Sequence, residues 1–229
     1  MFTQTVDLAK TSVRELNQRL HELDAERDEE RWRVLNHGGA HAIDCGLRVP
    51  VTVEIEGHAG YYCAGMNQKA TVIVHGNVAT GVAENMMSGI VHVYGNASQC
   101  AGATAHGGLL VVEEEASARC GISMKGIDIV VKGSVGHMSA FMAQTGNLII
   151  CGDAGDSLGD SIYEARLFVR GKVKSLGTDC MQKEMRPEHL RLLETLLARA
   201  GSDARPEEFR RYGSARKLYH FQIDHASLY

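Results

Sequence analysis

Proline is scarce in this chain, three among 229 residues, while glycine reaches 25. So much glycine with so little proline points to a regular structure that turns tightly and often. A basic excess is missing too. The net charge is −4 with both signs interspersed, which leaves no electrostatic footprint for nucleic acid. No apolar run is long enough to span a bilayer, so no membrane partner is expected. The opening MFTQTVDLAKTSVRELNQRL lacks the apolar centre and small-residue cleavage site of an export signal, and a cytoplasmic protein is expected. Finally, the six cysteines (Cys45, Cys63, Cys100, Cys120, Cys151 and Cys180) include no CxxC pair. That argues against a zinc ribbon or an iron–sulfur run. In a reducing compartment they read as free thiols serving as small buried hydrophobes.

What the chain does have is repetition. Val53-Glu54-Ile55-Glu56-Gly57-His58-Ala59-Gly60 is echoed by Val72-Ile73-Val74-His75-Gly76-Asn77-Val78-Ala79, nineteen residues later. The glycine closing each alternating stretch falls at Gly38, Gly57, Gly76, Gly95, Gly133, Gly152 and Gly171, with Glu114 in the missing place. Unbroken self-similarity at that period marks a solenoid.

The columns of the repeat have separate jobs. Four residues before the marker stand Val53, Val72, Val91, Leu110, Ile129, Leu148 and Leu167; two before it stand Ile55, Val74, Val93, Val112, Val131, Ile150 and Val169. These are an inward strand face. The residue just before the marker (Glu56, His75, Tyr94, Glu113, Lys132, Cys151, Arg170) is mostly polar and reads as an outer face. Two after the marker come Ala40, Ala59, Val78, Ala97, Ala116, Val135, Ala154 and Val173; seven after it come Cys45, Ala64, Ala83, Gly102, Gly121, Ala140 and Gly159. Small side chains suit a wall that bends inward, and glycine at the marker suits a corner with positive φ. The fold expected is an all-β solenoid, a right-handed parallel β-helix of seven to eight 19-residue coils. At about 4.8 Å per rung the rod is roughly 35 Å long. Gly38, preceded by Val34 and Asn36, reads as a degraded terminal rung.

Exposed terminal coils need covering. Residues 7–28 carry Val13, Leu16, Leu20 and Leu23 on one helical stripe, and Pro187 opens a second amphipathic helix with Leu190, Leu193 and Leu197 on one face and Gly201 as its stop. The expected organisation is an N-terminal helix and cap over 1–33, the β-helix over 34–180, and a C-terminal helix and tail over 181–229. The tail RRYGSARKLYHFQIDHASLY is expected to pack along the rod rather than dock on a partner.

No catalytic, cofactor-binding or metal residue stands out. Gly152-Asp153-Ala154-Gly155-Asp156-Ser157-Leu158-Gly159 has the wrong spacing for a nucleotide loop, and its glycines recur in register elsewhere. His37, Glu56 and His75 would stack on consecutive rungs, but three rungs span nearly 10 Å, too far for zinc. Cys180, beside Asp179 and Lys183, is the one thiol read as accessible, without a base in evidence. Glu113-Glu114-Glu115 reads as a solvated bulge where the glycine should stand.

The rungs GHAGYYCAGMNQKATVIVHGNVATGVAENMMSGIVHVYGNASQCAGATAHGG resemble the C-terminal "GXGXG" β-helix domain of the glutamate synthase large subunit, over about residues 34–180. The flanks VDLAKTSVRELNQRLH and RKLYHFQIDHASLY look closest to the stand-alone glutamate-synthase-like subunit of N-methylglutamate synthase. That resemblance implies a hetero-oligomeric scaffold between a class II glutamine amidotransferase-like subunit and an FMN-binding glutamate synthase-like subunit. FMN and an iron–sulfur cluster would then sit in a partner and not in this chain. The N-terminal cysteine of the amidotransferase part has no counterpart, since residue 2 is Phe2. A similar repeat occurs in formylmethanofuran dehydrogenase, and the equivalent structural part of such a complex is the second reading. An autonomous β-helix enzyme is the third, with outer columns too mixed in character to favour it.

Overall fold

A computed structural model describes residues 4–24 and 30–216. Its chain winds as a β-helix. The strands β1 (Gln4–Asp7), β2 (Arg31–Leu35), β3 (Thr52–Ile55), β4 (Thr71–Val74), β5 (Ile90–Val93), β6 (Leu109–Val112), β7 (Lys125–Val131), β8 (Thr145–Ile150) and β9 (Arg166–Val169) pair in parallel, each with the next in sequence. From β3 to β9 the register advances by nineteen residues: Val53 faces Val72, then Val91, Leu110, Ile129, Leu148 and Leu167. A second column of parallel bridges runs through Ala59, Val78, Ala97, Ala116, Val135, Ala154 and Val173. All fourteen inward strand aliphatics are fully buried.

Gly38 and Gly57 have the positive φ of the corner argument, 57 and 107°, but the later glycine markers are there for a different reason. Gly76, Gly95, Gly133, Gly152 and Gly171 do not have the left-handed φ; a Cβ on Gly152 would stand 2.6 Å from the carbonyl carbon of Gly133, and one on Gly76 2.7 Å from that of Gly57. Close approach of successive rungs excludes a side chain. The N–H groups of Gly95, Gly133, Gly152 and Gly171 each donate to the carbonyl of the marker one rung back. Among the described residues Glu114 makes no such bond to Gly95, but the register runs through it without a shift, so it is not a bulge. On the opposite bend the left-handed residues are mostly not glycine: Tyr62, Ala64 and Met66 have φ of 59, 54 and 56°, with Ala83, Asn85, Cys100, Thr104 and Ala140 alike.

The first rungs depart from the nineteen-residue step. Trp32 faces Val53 and Val34 faces Ile55, a step of twenty-one. Trp32 and Val34 therefore fill the two inward positions, both buried, and Asn36 with φ 54° takes the marker place in register with Gly57. The rung is intact; a two-residue insertion hid it from a fixed-period count. β1 adds one more rung before it, with Val6 facing Val34.

Both ends are covered. Helix α1 (Val13–His21) is shorter than the stripe over 7–28 suggested, its start set by a capping box in which Ser12 and Glu15 satisfy each other's backbone N–H. Residues 25–28 of that stripe lie outside the described residues. Leu16 and Leu20 are fully buried against the first coils, and Asn17 donates to the Ala42 carbonyl. At the other end β11 (Arg210–Ser214) pairs antiparallel with β9, and β10 (Cys180–Lys183) pairs with β11. Tyr212 faces Leu167 and joins the core of the coil. The first part of the tail thus packs as a strand; residues 217–229 lie outside the described residues. No helix of the described residues is long and apolar enough to cross a membrane.

Candidate functional surfaces

The outer face of the sheet changes character along the rod. In the column three residues before the marker stand Glu54, Ile73 and His92, then Val111, Val130, Ile149 and Phe168. The last four are buried with Leu193, Leu196, Leu197 and Ala200 of helix α2 (Pro187–Arg199) and with Phe209. Helix α2 therefore lies across the later rungs. This polar-to-apolar switch was visible in the sequence and marks which half of the sheet a helix would cover. Gly201 closes the helix with φ 62°.

Over the earlier rungs the face carries a charged and aromatic ladder. His75 stacks on Tyr94 (5.3 Å between centroids) and Tyr94 on His92 (4.5 Å). His75 Nε2 lies 2.9 Å from Glu54, His92 Nε2 2.5 Å from Glu113, and Lys132 2.8 Å from Glu113. Desolvation raises the Glu113 carboxyl, but hydrogen bonds from Lys132 and His92 outweigh it and hold the group below its usual range.

His37, Glu56 and His75 do not share a column, because the insertion in the first coil places Leu35 opposite Glu56. His37 is buried, its Nε2 3.1 Å from the Glu56 carbonyl. The side chains that do converge are Glu54, Glu56 and His75, with ligand atoms within 4.8 Å of one another. Each carboxylate is already engaged, Glu54 by Arg31 at 2.6 Å and Glu56 by Arg33 at 2.7 Å. A cation there would have to displace two guanidinium groups, so the chemistry of the cluster is that of an ion-pair network.

The thiols are all pushed towards the neutral form, with burial the largest cause in each. Cys63 lies well above its ordinary value, Cys120 is raised to about 12 and Cys180 to about 11, and Cys45, Cys100 and Cys151 are raised as well. A thiolate nucleophile is what these environments disfavour. Among the described residues no histidine side chain bonds a serine, threonine or cysteine side chain. Residues 152–159 form another turn of the coil, with Asp153 accepting from the N–H of Lys172 and Asp156 ion-paired to Lys174 at 2.7 Å. Glu115 lines a shallow depression of about 420 Å³ with Asn96, Ser117 and Ser134, and no nucleophile–base pair faces it.

Asp44 escaped the sequence reading. The backbone bond from Ala64 N–H reaches Ile43, whereas that from Ala83 reaches Cys63, so Ile43 matches Cys63 and Asp44, not Cys45, matches Ala64. Its φ of 58° agrees with the 54 and 55° of Ala64 and Ala83. A carboxylate thus occupies the column of Ala64, Ala83, Gly102, Gly121, Ala140 and Gly159. It is fully buried, and neither oxygen has a hydrogen-bond partner. Burial alone raises its pKa to about 7.

By its geometry the chain is a parallel β-helix with a helix-covered half and an open half, and its described residues gather no nucleophile, base and orienting group. No model of a known protein family matches it. Protein GlxC of Rhizobium meliloti (strain 1021) is 60% identical over 225 residues, covering 98% of this chain and 99% of that protein. The chain belongs to the GlxC family.

Proposed function

We propose that this chain is a non-catalytic scaffold subunit of a glutamate synthase-like, amine-transferring complex, in the manner of N-methylglutamate synthase. There methylamine and glutamate would give N-methylglutamate and ammonia. In this reading it bridges an amidotransferase-like subunit and an FMN-binding synthase subunit, and the redox chemistry resides in the partners. The observation that carries the reading is the coil itself: unbroken nineteen-residue rungs from β3 to β9 in the GXGXG pattern of the glutamate synthase β-helix. Full-length similarity to GlxC is consistent with a glutamate synthase-like subunit. The six cysteines include no CxxC pair and so lack the spacing of an iron–sulfur binding run.

The test is a tagged pull-down from native lysate, reading visible absorbance and the identities of the chains recovered. A yellow-brown complex containing an amidotransferase-like and a flavin-binding chain is the expected result, and methylamine with glutamate is then the substrate pair to assay. Recovery of a lone colourless protein at monomer or homo-oligomer mass would refute the scaffold reading.

A further inference from the structure

The outer sheet face ends, beside α2, in a group of cations with no ion-pair partner of their own among the described residues. Arg211 stands opposite Phe168 in the β9–β11 ladder and opposite Lys183 in the β10–β11 ladder. Side chains directly opposite one another share a face, with Cβ atoms about 4.5–5.5 Å apart. Arg166 lies two residues before Phe168 on that same face, a diagonal neighbour of Arg211 at about 7–8 Å, within reach of long side chains. Gly213, which follows Arg211 by two, contributes no side chain to this face. A Cβ there would find nothing nearer than 3.7 Å, and one of its two nearest atoms is Cγ of Lys183. The three half-buried cations surround this position, where the buried Gly213 leaves room between them.

Three further facts show that the group is incompletely compensated. Among the described residues, none of Arg166, Lys183 and Arg211 has a carboxylate within ion-pair distance; the nearby Glu184 and Glu188 face Arg186 instead, at 3.3 and 4.0 Å. Nη1 of Arg211 donates to the Glu184 carbonyl at 3.0 Å, but its Nε is buried and donates to nothing. Asn147 precedes Arg166 by one rung, and its Oδ1 is likewise buried without a partner, so Arg166 does not turn back to satisfy it. Desolvation first, and then repulsion from Arg166 and Arg186, lower the pKa of Arg211 and outweigh the attraction of Glu188 and Glu184. A folded chain that gathers like charges at a half-buried spot leaves a standing cost that a bound anion removes.

We infer that Arg166, Lys183 and Arg211 form a binding site for one phosphate group on the outer sheet face beside the start of α2. The Arg166 fork, the remaining Arg211 N–H groups and one ammonium suit a doubly charged tetrahedral oxyanion better than a single carboxylate. Inorganic phosphate and the phosphate of a small phosphomonoester share this chemistry.

The test titrates the full chain with inorganic phosphate, glycerol phosphate and acetate by calorimetry, at ionic strength held constant with chloride. One saturable phosphate site per chain is expected, weakened about tenfold or more in Arg166→Gln and again in Lys183→Gln. Neither side chain donates a hydrogen bond to another described residue, and both variants remove like-charge repulsion. Without phosphate they should therefore melt no lower than the parent, which separates loss of binding from loss of fold. Glycerol phosphate binding as tightly as inorganic phosphate assigns the site to phosphomonoesters, and weaker binding assigns it to free phosphate. Absence of saturable binding above chloride, equal binding of acetate, or unchanged binding in both variants would overturn the proposal.

Discussion

Asp44 makes the stability of this protein depend on pH in an unusual direction. The carboxyl titrates at its ordinary value of 3.8 when unfolded and at about 7 in the folded coil. Between those values the unfolded chain has released the proton while the folded chain still holds it. The unfolded state binds fewer protons there, so stability falls as pH rises from about 4 to about 7, and the loss is complete above that. At 1.36 kcal/mol per unit, a shift from 3.8 to about 7 amounts to about 4 kcal/mol. Full burial and the absence of any partner leave nothing to screen or offset the charge.

Asp44→Asn keeps the shape and removes the ionisation. In urea denaturation followed by circular dichroism, the variant should match the parent near pH 4 and exceed it by about 4 kcal/mol near pH 8. Asp44→Ala, which restores the residue found at Ala64, Ala83 and Ala140, should add a pH-independent gain of about 1–3 kcal/mol from removing two orphaned polar atoms. A difference between parent and Asp44→Asn that stays flat across this range, or that favours the parent at high pH, would refute the reasoning.

Gly152→Ala places a Cβ 2.6 Å from rigid backbone and should cost about 1–3 kcal/mol, whereas Gly213→Ala meets nothing nearer than 3.7 Å and should melt within a degree or two of the parent. Leu196→Ala on α2 opens the fully packed layer over Val130 and Phe168 and should cost about 2–5 kcal/mol by denaturation. Native protein treated with a thiol-reactive disulfide at pH 8 should leave Cys63 and Cys120 unmodified over a time in which the unfolded chain reacts fully, as peptide mapping will report.

The coil was legible because its information is redundant. Fourteen inward aliphatics repeat at one spacing, and no local exception can hide such a pattern. Errors arose where the chain departs from its own period. Two extra residues after Val34 disguised an intact rung, and one residue fewer before Asp44 shifted Cys45 into a column it does not occupy. The reason for the marker glycines was also misread from Gly76 onward, though Gly57 does have the positive φ expected. Contact between stacked carbonyls and a bend with positive φ both select glycine, and sequence alone does not separate them. The arginine group was out of reach for another reason: Arg166, Lys183 and Arg211 meet only because β11 returns antiparallel onto β9, a topology no column of the repeat encodes.

The two ends of the rod also limit how anything can assemble with it. A parallel β-helix can lengthen by accepting a further strand at either end. Here the first edge is β1, four residues long and joined to α1, whose Leu16 and Leu20 close the core. The last coil is covered by β11, antiparallel to all before it, with β10 outside. A further coil from another chain would have to pair with these short outer strands, and it would find α1 or the β10–β11 pair where the next turn of core should be. Association must therefore use the sides. Of the outer sheet face, α2 occupies the rungs from Leu109 to Phe168, which leaves the ladder of Glu54, His75, Tyr94 and His92. Tyr94 is 51% exposed there. If a partner covers this ladder, Tyr94→Ala should weaken the purified complex at least tenfold while leaving the melting temperature of the isolated chain within a few degrees, since an aromatic anchor at an interface commonly supplies more than about 1.4 kcal/mol. A complex that tolerates Tyr94→Ala with unchanged affinity would move the docking surface to another side of the coil.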